Sequence, residues 1–357
     1  SGCTAFSLAS RSFSSASTGL NFTGTCPTRV VLLLHGMNSN PETWNDFLKD
    51  SKYGNGLFMI AAPTIYMGKK DSSTARPDQK GVLYYRLKFG SRDGSSGRIG
   101  VEKDVFSKGG DSGDFSYFDD LGNEVKDAVH LILNLHLNAQ VLLIGHSRGG
   151  IAGRVFLQVP ATSNERTAIV ALVTTGTPHS GSPLGRLYSY LKANPRTKPE
   201  ARDDWTVVDC LRGIGLQCPK NIDVRTPTID DLSMDSPAIA KLQNGSANLP
   251  PAPVKYGTQR YGGVALGKLR LSFANIFDGL AWLPPLTSAA RDAVFKGTAR
   301  NLFVGDGIVP TANQTFTSSH ITVTVRTNSS GKIVHIDEPG QKVDLRPIVE
   351  MLVPWWQ

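Results

Sequence analysis

The segment Val141-Leu142-Leu143-Ile144-Gly145-His146-Ser147-Arg148-Gly149-Gly150 constrains the fold more than any other stretch of this chain. A short apolar run with a buried-strand pattern stops at a G-x-S-x-G and passes into the small residues Ile151-Ala152-Gly153. A strand that turns this sharply into a helix holds its serine on a strained bend with the hydroxyl outward. Only small residues fit at Gly145 and Gly149 of such a bend. With 36 glycines in 357 residues, a bare G-x-S-x-G would arise about 0.3 times by composition alone, so the flanking strand and helix carry the reading. Ser147 is the candidate nucleophile, and an ordinary glycine-rich turn is the alternative.

A serine hydroxyl is a weak nucleophile at neutral pH. It needs a histidine to take its proton and a carboxylate to hold that imidazole in the right tautomer. Asp306, in Val304-Gly305-Asp306-Gly307-Ile308-Val309-Pro310, follows an apolar strand on a glycine-flanked turn and is the candidate acid, against a plain Asp-Gly turn. His335 precedes the last helical stretch, Leu345 to Leu352, on a late loop and is the candidate base. His320 is its rival, at the start of a β-branched strand, which suits a structural histidine. His130 and His136 on a helix and His179 on the Gly176-Thr177-Pro178 loop read as structural, and the His146 ring is expected to point away from the nucleophile. The oxyanion of a tetrahedral intermediate needs two N–H donors. The backbone N–H groups of Arg148 and of Met37, after His35-Gly36, stand at the expected positions, with both side chains free to vary, a core role being the alternative for Met37.

Strands and helices alternate over the first half. Arg29-Val30-Val31-Leu32-Leu33-Leu34 is a short run that suits a strand buried on both faces. Asp119 to His136 places Leu121, Val125, Val129, Ile132 and Leu133 on one helical face. Ala168 to Val173 reads as another strand. This alternation implies an α/β fold with a mostly parallel central sheet, helices on both faces and functional loops at the strand C-terminal ends. From Pro183 to Arg300 the rhythm is lost, which reads as a cap inserted over the sheet, either packing alone or a lid with an acyl-binding wall around Ile276 to Leu283. Sheet-like sequence returns at Leu302-Phe303-Val304 and at Ile321 to Val325. The expected organisation is an N-terminal arm (1–28), a core (29–182 and 301–357) and a cap or lid (183–300).

The net charge of +8 comes from scattered Lys and Arg, with no like-charge run and no nucleic-acid motif. A bland basic surface and weak attraction to anionic interfaces are both open. There is no apolar signal core and no membrane-spanning run, and the chain starts at Ser1, so it reads as a processed, secreted product. The four cysteines form two sequence-local pairs, Cys3 with Cys26 and Cys210 with Cys218, of the kind that disulfides staple in exported proteins. Three pairings exist on paper, and four free thiols are the alternative. Asn21-Phe22-Thr23 and Asn313-Gln314-Thr315 are glycosylation sequons.

Taken together, His35-Gly36-Met37, the elbow, Gly176 to Ser182, Asp306 to Pro310 and His335-Ile336-Asp337-Glu338 resemble the α/β-hydrolase superfamily, and within it secreted bacterial true lipases and carboxylesterases. The resemblance runs from residue 30 to the end, with the cap as its poorly matched part. It implies an α/β-hydrolase fold and carboxylic ester hydrolysis by Ser147, His335 and Asp306, in that family's chain order of Ser, Asp, His. In those lipases an Asp two residues and a Gln six residues after the histidine help hold a structural calcium. Asp337 and Gln341 match, whereas the earlier acidic ligand has only Asp278 or Asp292, out of register. The alternative for Asp337 is a helix cap or a surface ion pair. The chemistry itself requires no cofactor. The implied substrate is hydrophobic, a lipid or an aliphatic polyester such as a polyhydroxyalkanoate, met by interfacial adsorption. An amide or peptide hydrolase and a non-catalytic binding protein are the competing classes.

Overall fold

The computed structural model describes residues 26–37, 39–49, 60–90, 117–183, 185, 230–265, 304–340 and 342–357. Cys3, Cys210 and Cys218, Asn21, the arm over 1–25 and most of the expected cap, including 276–283, lie outside them. Cys26 is disulfide-bonded.

The first strand, β1 (Thr28–Leu34), is the apolar run, and its side chains alternate between two cores. A 3-10 turn capped by the Asn40 side chain follows, then a single helical turn, α1 (Asn45–Leu48), which seats Phe47 and Leu48 under the sheet. Two short strands, β2 (Thr64–Tyr66) and β3 (Lys69–Lys70), make an edge, and β4 (Val82–Lys88) returns beside β1. The long helix α2 (Phe118–Leu135) buries Leu121, Val125, Val129 and Ile132, the face read from the sequence. It leads into β5 (Ala139–His146), α3 (Arg148–Gln158) and α4 (Ser163–Ala168). The last of these starts at a capping box in which Thr162 and Glu165 bond each other's backbone N–H. Then come β6 (Ile169–Thr175), α5 (Pro237–Asn244), β7 (Lys255–Tyr261), β8 (Val264–Ala265), β9 (Val304–Gly305), β10 (Val323–Asn328) and α6 (Lys342–Leu352).

Eight strands form one sheet in the order β10-β7-β6-β5-β1-β4-β2-β3, parallel throughout except for β3. Val30, Leu32, Leu34, Val141 and Leu143 pack beneath α2 and α3. Val31, Leu33, Leu142, Ile144 and Val173 pack on Trp44, Phe47 and the α6 residues Leu345 and Ile348. Each such aliphatic side chain stabilises the fold by about 1.5–3 kcal/mol relative to exposure. The chain runs from β1 to β4 on one side and returns to β5 on the other, so β1 and β5 flank a topological switch point, where α/β sheets open a crevice. Their register pairs Leu34 with Gly145, which brings residues 35–37 beside the elbow.

One expectation needs correction. The cap cannot occupy all of 183–300, because Lys255–Tyr261 is a central strand between β6 and β10, and α5 packs on the C-terminal half of α3. That strand has no apolar run to betray it. Its interior is met by polar pairs, with the Thr258 hydroxyl bonded to Thr174 and to the Gln314 carbonyl. The two late sheet-like stretches both supply strands, in different sheets. Val304–Gly305 leaves the central sheet to pair antiparallel with Val264–Ala265, because the turn at Asp306 folds the chain back at once, whereas Val323–Asn328 becomes an edge strand. Among the described residues, no helix is long and apolar enough to cross a membrane.

Candidate active site

Ser147 joins β5 to α3 with φ 53° and ψ −127°, a conformation that costs a non-glycine residue about 1–3 kcal/mol. The surrounding backbone enforces it. The Gly149 Cα lies against the carbonyl oxygens of Leu34 and His35 so closely that no side chain would fit, and a Cβ on Gly36 would sit 2.8 Å from that of Ser147. The Ser147 N–H is meanwhile anchored on the Thr175 carbonyl at 3.0 Å.

Asp306 and His335 arrive from the C-terminal segment. Asp306 Oδ1 accepts the N–H groups of Ile308 and Val309 at 2.9 and 2.7 Å, which closes the turn around it. Its Oδ2 accepts from Gln314 Nε2 at 3.2 Å and faces His335 Nδ1 at 2.8 Å. The His335 backbone N–H donates to the Asp306 carbonyl at 3.0 Å, so main chain and side chain are tied together. The other ring nitrogen, His335 Nε2, lies 2.8 Å from Ser147 Oγ. An ionised carboxylate only accepts, so Nδ1 carries the proton and Nε2 is left to accept from the serine hydroxyl. All three residues are buried. A parallel sheet with a strained serine at the tip of a central strand, met by an Asp and a His later in the chain, decides the architecture. The chain has an α/β-hydrolase fold.

The family profile described as PGAP1-like alpha/beta domain matches residues 115–221, which include the elbow. A comparison with curated proteins finds no significant match. Among solved structures, the chain is similar to the mature lipase BlEst2 of Bacillus licheniformis at 16% identity, over 94% of this chain and 96% of that one, with a TM-score of 0.48. It is similar to phospholipase PlaB of Legionella pneumophila at 15% identity, over 81% of this chain and 45% of that one, with a TM-score of 0.41. It is also similar to a monoacylglycerol lipase of Paleococcus ferrophilus at 13% identity, over 91% and 94% of the two chains, with a TM-score of 0.39.

Within this α/β-hydrolase fold the oxyanion candidates sit at two chain positions beside Ser147. Arg148 is the first residue of α3, where helix N–H groups lack intrahelical partners. Met37 follows Gly36. The intervening peptide is oriented by His35, whose Nδ1 lies 2.8 Å from the Gly36 carbonyl while its Nε2 accepts the Phe89 N–H at 3.3 Å. Burial pushes His35 down to about 3; it therefore stays neutral, with the proton on Nδ1. The Met37 side chain packs partly against the core, and that of Arg148 is buried, so neither is free to vary as the sequence reading supposed.

The remaining histidines divide as expected, with one exception. His320 is bound to Ser318 and to the Leu249 carbonyl, His179 to Thr174 and Arg154, and His136 to Tyr85. Burial holds His179 well below the ordinary imidazole range, with the Arg154 cation adding to the effect. His130 is exposed, 3.9 Å from Glu165. His146 is the exception. Its ring does not point away but packs 4.8 Å from that of His335, with Nε2 2.8 Å from the His335 carbonyl and 3.2 Å from Glu338 Oε2. Gln314 and Glu338 fell within quoted motifs but were given no role of their own; Glu338 could have been noticed as a carboxylate one short turn after His335.

Asn313 is buried and its side-chain amide donates to the Gly181 carbonyl at 3.0 Å, so the sequon at Asn313 is structural in this fold. Of the residues implied for calcium, Asp337 is half-buried, while the Gln341 side chain, Asp278 and Asp292 lie outside the described residues. The metal-capable cluster among the described residues is His146, His335 and Glu338. Two imidazoles and a carboxylate are not the all-oxygen shell that calcium takes, and the His335 nitrogens are already engaged.

Proposed function

We propose that this chain is a serine hydrolase that cleaves carboxylic esters of hydrophobic, lipid-like substrates through an acyl-enzyme, with Ser147, His335 and Asp306 as its triad. The observation that carries this reading is the unbroken relay of two 2.8 Å contacts from Ser147 Oγ through His335 to Asp306. Ser147 Oγ attacks the ester carbonyl carbon as its proton passes to His335 Nε2, and Asp306 holds Nδ1–H and stabilises the imidazolium. The Arg148 and Met37 N–H groups receive the charge that develops on the carbonyl oxygen. Collapse breaks the bond to the alcohol oxygen, which leaves with the proton from Nε2. A water, deprotonated by the same nitrogen, then attacks the acyl carbon, releasing the acid and restoring Ser147. Every proton is accounted for by side chains and water. A calcium held through Asp337 would serve the His335 loop rather than the chemistry.

The apolar character of the sequence assigned to the cap, the net positive charge and the cysteine pairs support export and action at a lipid or polymer surface. The test is hydrolysis of p-nitrophenyl esters from acetate to palmitate, together with clearing of a polyhydroxyalkanoate emulsion, by wild type and Ser147→Ala. The expected result is turnover that rises with chain length beyond acetate and falls by about 10⁴- to 10⁶-fold in the variant. Clearing of the polymer with weak turnover of the long-chain esters would move the substrate to polyesters. An inert wild type on every ester would overturn the reading in favour of an amidase or a binding protein.

A further inference from the structure

The acyl-enzyme chemistry leaves one carboxylate at the site without a task. Glu338 is fully buried, three residues after His335 in a 3-10 helix (His335–Gly340). Residues i and i+3 eclipse in that geometry, so its carboxylate folds back onto the ring of the base, with Oε2 3.7 Å from His335 Nδ1. The same oxygen lies 3.2 Å from His146 Nε2, and that nitrogen lies 2.8 Å from the His335 carbonyl. His146 is held neutral, well below the ordinary imidazole range, by burial first and then by the neighbouring His335. With a carbonyl oxygen at hydrogen-bond distance, its Nε2 is the protonated nitrogen. That proton therefore points at the main chain of His335, while the Glu338 carboxylate stands 3.2 Å from the same nitrogen as a charge contact rather than as the hydrogen-bond acceptor. The backbone is cut to fit this arrangement. Gly176, at φ +55° on the turn after β6, touches Glu338 so closely that a Cβ would overlap the carboxylate.

We propose that His146 and Glu338 form a clasp that positions His335 for the reaction advanced above, on which this inference rests. His146 precedes Ser147 directly, so the clasp fastens the strand bearing the nucleophile to the turn bearing the base. Asp306 orients the His335 ring through Nδ1. The clasp holds the main chain from which that ring hangs, and so sets how close Nε2 comes to Ser147 Oγ. Both are positioning residues, because neither touches the reacting atoms.

The experiment compares Glu338→Gln, His146→Phe, His146→Gln and the Glu338→Gln/His146→Phe double variant with wild type. The readouts are kcat and KM on p-nitrophenyl butyrate, the rate of Ser147 labelling by a fluorophosphonate, and the melting temperature. A loosened base lowers kcat by about ten- to a hundredfold with KM held within about twofold, because the loss falls on alignment rather than on substrate contact. Labelling slows in parallel. The double variant falls no further than the worse single one, since both cut the same link. His146→Gln, whose amide N–H reaches the His335 carbonyl, recovers most of kcat.

Unchanged kcat and labelling with only a lowered melting temperature would reduce the pair to core packing and overturn the proposal, as would single losses that multiply. Should Glu338→Gln not fold, the contrast between His146→Phe and His146→Gln decides the matter alone. A wild type that labels but cleaves no ester would sink the ester reading while leaving the clasp to be judged by labelling rates. A wild type that neither labels nor turns over would end both.

Discussion

Ser147 and His335 meet at 2.8 Å, yet the regions that carry them are built by different means. The region of Ser147, the proposed nucleophile, is β1, β5 and α3, held by parallel ladder bonds and by side chains sealed from water on both faces of the sheet. The region of Asp306 and His335, residues 304–340, has a two-residue strand, two 3-10 turns and an edge strand whose side chains are at most half-buried. Individual polar links locate it: Asp306 closing its own turn, Gln314 bridging Asp306, Val309 and Tyr261, Ser182 reaching the Ile308 carbonyl, and Asn313 reaching Gly181. The difference teaches where a single substitution acts. In the first region a lost contact is diluted by a redundant core and ladder. In the second, one side chain can carry the geometry.

The sharpest break of this comparison is Asp306→Asn. Its retained oxygen keeps the turn bonds to Ile308 and Val309, while its amide presents a donor to His335 Nδ1–H. The expected outcome is a loss of about 10⁴-fold in kcat with little change in melting temperature, read from ester hydrolysis and a thermal melt on the same sample. A variant that unfolds instead would mean that the turn, and not the relay, depends on the charge.

Next in size is a pair of substitutions, one in each region. Leu143→Ala in the shared core costs about 2–5 kcal/mol of stability and leaves the kcat of the folded fraction near wild type. Gln314→Ala costs about 1–3 kcal/mol by stranding buried partners, yet it lowers kcat severalfold by releasing Asp306. Urea unfolding and kinetics on both variants test the contrast. Equal effects on kcat would erase the distinction between the regions.

The last effect, on stability rather than on catalysis, lies outside both regions at the start of α2. Asp231 accepts the Phe118 N–H at the start of α2, and burial raises its carboxyl from 3.8 to about 6. The fold thus favours the protonated form. Its contribution is complete below about pH 4 and is lost as pH rises through about 6, because the unfolded chain then holds fewer protons than the native one. Asp231→Asn, which keeps the acceptor, should therefore match wild type in urea stability at pH 4 and exceed it at pH 8. A constant gap between the two across that range would assign the effect to packing.

What was readable in advance follows the same division. Thr28–Leu34, Phe118–Leu135 and Ala139–His146 advertise themselves because burial on regular elements imposes a period on the sequence. Ser147, Asp306 and His335 could be picked out as candidates because each proposed role admits few residue types and each lies at an element boundary, and the structure brings the three together. Lys255–Tyr261 was not, since a strand whose interior is matched by polar partners carries no apolar period. His146 was misread because local geometry around an elbow says nothing of what approaches from residue 335.

The sequence by itself determined most of the elements around Ser147, the alternation that makes a parallel sheet, and the candidates for nucleophile, acid and base. These depend on local periodicity and on short-range backbone sterics. Only the tertiary structure decided that Glu338 and His146 share a buried contact, that Gln314 braces Asp306, and that residues 255–261 belong to the sheet. Those facts depend on which distant polar groups must find one another once water is excluded, and a hydrogen bond between residues nearly two hundred positions apart leaves no period in the chain to read.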